Sequence, residues 1–90
     1  MGIVAVKIKI MPEGVDSNLE EIKKQAKALV EKLGGKNCQI SEEPIAFGLN
    51  ALIVFFAWQE EKELESLEQK LSKIKNVSSV QVIDMRRAFG

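Results

Sequence analysis

The chain contains no histidine and a single cysteine, Cys38, and those two shortages remove most familiar active-site chemistry. Histidine is the side chain that titrates near neutrality and the commonest metal ligand, so triads built on it are excluded. One cysteine makes neither an intramolecular disulfide nor a cysteine zinc site, and a reducing, cytosolic setting fits. On a short strand it reads as a core residue. A small metal carrier would need Cys-x-x-Cys after the first strand, and Met11 to Asn18 has none. There is no Gly-x-x-x-x-Gly-Lys-Ser/Thr run to cradle phosphates. Charge of one sign is also missing: thirteen basic and thirteen acidic residues give a formal net charge of zero. That argues against a general nucleic-acid or membrane-surface binder, which needs a basic surplus. Long apolar runs are absent too. Lys7 and Lys9 interrupt Gly2 to Met11, and Leu49 to Trp58 is too short to cross a bilayer as a helix.

What remains is the pattern of one small folded domain spanning residues 1–90, with 46% apolar and 29% charged residues. Ile3 to Met11 alternates, with Val4, Val6, Ile8 and Ile10 on one face and Lys7 and Lys9 on the other, which predicts a strand with one buried face. Pro12-Glu13-Gly14 ends it. Asp16-Ser17-Asn18 offers several N-cap side chains, of which Ser17 followed by Glu20 fits a capping box, and Leu19, Ile22, Ala26, Leu29, Val30 and Leu33 then trace one helical stripe up to Gly34-Gly35. Lys36 to Glu42 reads as a polar edge strand. Leu49 to Trp58 is apolar on both faces, as expected of a central strand. Glu60 to Lys75 predicts a second helix with Leu64, Leu67, Leu71 and Ile74 as its seam, its glutamates lying on a solvated face. A last strand lies within Val77 to Phe89, with Val80 and Val82 on one face and Ile83 and Met85 on the other. The order β-α-β-β-α-β packs most economically as an α+β, ferredoxin-like split βαβ sandwich: a four-stranded antiparallel sheet, strands one and three central, two helices on one face.

One segment stands out from this scaffold. Glu42-Glu43-Pro44-Ile45-Ala46-Phe47-Gly48-Leu49 puts two large apolar side chains, Ile45 and Phe47, on a surface connection. Pro44 stiffens its start, and Gly48 permits backbone geometry that other residues avoid. A rigid loop with an apolar tip is suited to touching a partner. The RNA-recognition module shares this topology and carries a basic–Gly–aromatic–Gly–aromatic pattern on its third strand. Phe47-Gly48 matches two of those positions, but Leu49 and Leu52 stand where stacking aromatics are needed.

Together with Met11-Pro12-Glu13 and Val82-x-Asp84-x-Arg86-Arg87, the loop resembles the archaeal elongation factor 1-beta family over the whole chain. The resemblance implies a guanine-nucleotide exchange factor, not an enzyme, that promotes GDP release and GTP reloading on elongation factor 1-alpha in the cytoplasm. It implies no cofactor and no direct contact with membrane or nucleic acid. Pro44, Ile45, Phe47 and Gly48 would form the partner-binding loop, with Phe47 as an apolar wedge. Arg86 and Arg87 would supply a basic tail near the GTPase's Mg²⁺ and phosphates. Here the chain departs from the eukaryotic branch, which uses a lysine: it has no lysine after Lys75, and a guanidinium is not a compact ammonium. Two other readings suit the residues alone, a small RNA-binding or ribosome-associated domain and a homo-oligomeric regulatory domain taking a small ligand on its open sheet face.

Overall fold

A computed structural model describes residues 2–89. Six elements follow one another: β1 (Ile3–Pro12), α1 (Leu19–Lys32), β2 (Lys36–Pro44), β3 (Asn50–Gln59), α2 (Glu65–Ser72) and β4 (Val77–Phe89). The strands form one sheet in the order β2-β3-β1-β4, with every neighbouring pair antiparallel. The two most apolar strands are therefore central, as their composition predicts. β1 and β3 pair in unbroken register from Ile3 opposite Gln59 to Ile10 opposite Leu52.

That register decides which face is buried. Val4, Val6, Ile8 and Ile10 stand beside Leu52, Val54, Phe56 and Trp58, and both rows pack under Ile22, Ala26 and Val30 of α1 and Leu67 and Leu71 of α2. Both helices thus lie on one face, giving the split βαβ sandwich. The ambiguity of β3 is resolved by position: Ile53, Phe55 and Ala57 look out from the open face, level with Lys9, Lys7 and Ala5. Phe55 is 39% exposed, with the Lys7 ammonium 5.7 Å from its ring centre.

Three local expectations are corrected. Helix α1 is capped by Asn18, whose side chain accepts from the Glu21 amide at 3.1 Å; Ser17 Oγ accepts instead from the Gly14 amide at 3.2 Å. Both residues are good caps, and the fold of the preceding loop decides between them. Helix α2 is eight residues long rather than beginning at Glu60. Tertiary bonds hold the segment before it in turns: the Glu60 amide donates to the Gly2 carbonyl (2.9 Å), Trp58 Nε1 donates to the Lys62 carbonyl (3.2 Å), and Lys62 Nζ donates to the Leu33 carbonyl at the end of α1. Finally, β4 does not keep strict alternation. Asp84 lies opposite Lys7 but Val82 lies opposite Ile8, so Ile83 is bulged out and Met85 follows the row of Val80 and Val82.

The α1–β2 turn shows how tightly this packing constrains the backbone. Gly35 is buried, and a Cβ built there would stand 2.4 Å from Val30 Cγ1 and 3.1 Å from the Val30 carbonyl oxygen. At Gly14 the nearest atom is a side-chain oxygen of exposed Asp16, 3.1 Å away, which is able to swing aside. Gly35→Ala is expected to lower unfolding stability by about 1–3 kcal/mol through overpacking, and Gly14→Ala by no more than about 0.5 kcal/mol, as read by urea denaturation.

Candidate functional site

The loop singled out in the sequence is the tip of the β2–β3 hairpin. Pro44 is the last residue of β2, opposite Asn50, a place where a missing amide proton does no harm. The Ile45 amide donates to the Leu49 carbonyl and the Leu49 amide to the Ala46 carbonyl, both at 2.9 Å. Phe47 and Gly48 sit between them at φ +55° and +81°. Two central residues at positive φ describe a type I′ turn, which suits the right-handed twist of a hairpin but favours Asn-Gly. Phenylalanine at the first position is unusual. Left-handed backbone costs a residue with a Cβ about 1–2 kcal/mol. The side chain recovers nothing from packing, because Phe47 is 97% exposed. Ile45 is also exposed, at 42%.

The base of the hairpin is held firmly. Lys23 of α1 bonds the Glu42 carboxylate at 2.7 Å and Glu20 at 3.1 Å, and Asn50 Nδ2 reaches Glu42 at 3.5 Å. The Glu42 hydrogen bond, followed by that of Glu20, raises the Lys23 ammonium above its ordinary pKa. A strained, bare aromatic thus stands on a base tied to both helix and sheet.

The tail arginines are elsewhere. Arg86 lies opposite Ala5, which pairs with Ala57, while the hairpin tip lies beyond Asn50. Seven residue steps along β3 separate these levels, so the two candidate sites are more than about 20 Å apart at opposite ends of the sheet. Arg86 Nε bonds Asp84 at 3.2 Å and remains 80% exposed; Arg87 pairs with Glu60. Ion pairs this open are worth at most about 1 kcal/mol and are readily exchanged for others.

Other chemistry finds little support in the geometry. Cys38 is half-buried on β2, and burial pushes its thiol pKa up, away from nucleophilic thiolate. Among the described residues, no group of three or more Cys, Asp or Glu side chains stands close enough to hold a metal ion, and no helix is long and apolar enough to cross a membrane. Phe47-Gly48 lies off the sheet, not on its face where an RNA-recognition module stacks bases; Phe55 lies on the open face, with no aromatic beside it on β1. The sequence pattern passed over one neighbour of this turn, Val15 of the β1–α1 loop. It is 67% exposed, and a Cβ on Gly48 would stand 3.6 Å from its Cγ1. The Met11-Pro12-Glu13 motif leads into that loop, so two of the three motifs meet at one end of the molecule.

Comparison with known proteins yields a family match and a fold match. The model of the EF-1 guanine nucleotide exchange domain matches residues 5–88. The chain is 47% identical to elongation factor 1-beta of Methanosarcina barkeri, covering 97% of this chain and 99% of that protein. It is 42% identical to elongation factor 1-beta of Methanothermobacter thermautotrophicus, covering 97% and 98%. Among solved structures, the ACT domain of a GTP pyrophosphokinase from Chlorobium tepidum superposes with a TM-score of 0.62 over 88% of this chain and 96% of its own, at 21% identity. That likeness concerns the fold alone.

The exposed turn makes an unusual stability prediction. Phe47→Asn supplies the residue a type I′ turn prefers and removes a bare ring, so it should stabilise the free protein by about 1 kcal/mol. Denaturant unfolding of the two proteins side by side measures the change.

Proposed function

The chain belongs to the EF-1 guanine nucleotide exchange domain family, its role is nucleotide exchange in translation elongation, and we propose that it acts on elongation factor 1-alpha through the Phe47 turn. The observation that carries this reading is the combination at Phe47 of left-handed backbone and nearly complete exposure. Strain of this kind persists where the surroundings impose it and clusters at ligand-contacting positions. Burying the ring in a partner would return the stabilisation that the free protein forgoes, about 1.5–3 kcal/mol for a side chain of this size.

Exchange is a matter of differential binding. A factor that holds the nucleotide-free GTPase more tightly than the GDP form must weaken GDP binding by the same factor. Each tenfold of weakening requires about 1.4 kcal/mol of difference between the two complexes. Phe47 supplies part of it as a wedge: Pro44 and Gly48 shape the turn, Ile45 widens the apolar contact, and the Lys23–Glu42 brace resists being pushed back. Arg86 and Arg87 supply the rest at the far end, where added positive charge opposes the GTPase's own Mg²⁺ and draws on the phosphates. Because the two sets lie at opposite ends of the sheet, the protein spans its partner rather than touching it at one point. No covalent bond is made or broken, and the setting is the cytoplasm.

Release of a fluorescent GDP analogue from the GTPase, chased with unlabelled GDP, tests the reading. Substoichiometric amounts of this protein should accelerate release, and Phe47→Ala should lower kcat/KM about tenfold or more, in line with the loss of a buried aromatic. The double variant Arg86→Gln with Arg87→Gln should lower kcat while the melting temperature stays put. A wild-type protein that leaves release unchanged overturns the proposal.

A further inference from the structure

The apolar end of the molecule is wider than the hairpin tip. Val15 stands beside Gly48, within 3.6 Å of where a Cβ would lie, so exposed Val15 of one loop neighbours the turn that carries exposed Ile45 and Phe47. The second loop is held as firmly as the first. The Glu13 amide donates to the Asn76 carbonyl (2.8 Å), the Gly14 amide to Ser17 Oγ (3.2 Å), and the Ser17 amide to the Gly14 carbonyl (3.2 Å). These bonds leave Val15 outermost, although an apolar side chain gains nothing from exposure to water. Within the two loop segments themselves the charge is of one sign. Between Pro12 and Asn18 the charged residues are Glu13 and Asp16; between Ser41 and Asn50 they are Glu42 and Glu43. Glu42 is paired with Lys23, whereas Glu13, Asp16 and Glu43 are exposed and make no ion pair among the described residues. Lys75, next to Asn76 in the chain, borders this end without pairing with any of the three.

We infer that Val15 is a second prong of the docking surface, and that this end seats in a pocket of the GTPase that is apolar at its floor and basic at its rim. The inference rests on the exchange reading given above. An acidic rim around an apolar patch matches a basic rim around an apolar pocket; such complementarity steers encounter and fixes register, while the apolar contacts hold the complex. Val15 therefore acts in binding, separately from the wedge action of Phe47.

The nucleotide-release assay, run at several salt concentrations, separates the possibilities. Val15→Ser should raise KM about tenfold with kcat unchanged, as expected for one buried valine, and Val15→Ile should retain wild-type behaviour. The triple neutralisation Glu13→Gln, Asp16→Asn, Glu43→Gln should lower kcat/KM about fivefold at low salt and flatten its salt dependence. All the altered residues are exposed, so melting temperatures should stay within about 2 °C of wild type. Wild-type acceleration with no response to Val15→Ser, or with a salt dependence that the triple variant leaves intact, overturns this inference and leaves the exchange reading standing. Absence of wild-type acceleration removes the exchange reading itself.

Discussion

The register of the central β1–β3 pair sets where every other part of the molecule lies. Each strand carries apolar residues on its helix-facing row, and a slip of one residue would turn those rows outward. With Ile10 locked opposite Leu52 and Ile3 opposite Gln59, the end of β1 must lie beside the start of β3. The β1–α1 loop and the β2–β3 hairpin are therefore neighbours, and Val15 meets Gly48 across them. The β1–β4 pairing in turn sends the end of β4 to the opposite end of the molecule, level with Ala5. The hairpin tip and the tail arginines are thus set at opposite ends by the two pairings of β1.

The hairpin tip departs from what stability alone would favour. The core is closed, with Val6, Ile8, Leu52, Val54, Leu67 and Leu71 wholly buried. Against this background the chain keeps an aromatic ring in water on a left-handed backbone. A binding factor gains from that arrangement, since a side chain already held outward loses little entropy on docking. The tail obeys a looser logic: exposed ion pairs position Arg86 and Arg87 weakly and release them readily.

A shared fold does not select an activity. The same sandwich superposes on a domain of only 21% identity from a different kind of protein, and RNA-recognition modules share its topology. What separates these possibilities is the placement of a few side chains. A base-stacking face needs aromatics on both central strands, and here the open face of β1 carries Ile3, Ala5, Lys7, Lys9 and Met11, none of them aromatic, beside Phe55 of β3. The unusual aromatic, Phe47, lies at the end of the sheet and not on its open face.

Much of this was legible from residue pattern. Alternation in Ile3–Met11, the α1 stripe from Leu19 to Leu33 and the doubly apolar third strand gave the element order and the central strands, because period and burial follow directly from side-chain direction. The Pro44–Gly48 segment announced a stiff apolar turn. Local choices between near-equals were not legible: Asn18 over Ser17 as cap, turns in place of the first part of α2, and the bulge at Ile83 that redirects Met85. The turns before α2, for example, depend on bonds to residues distant in the chain, Glu60 to Gly2 and Lys62 to Leu33. Nor was the composition of the site. Residue order was enough to establish that an apolar turn exists and which side chains make it. It took the packed sheet to stand Phe47 bare at positive φ, to bring Val15 beside it and to send the tail arginines away, because nearness across a sheet is set by register and not by distance along the chain.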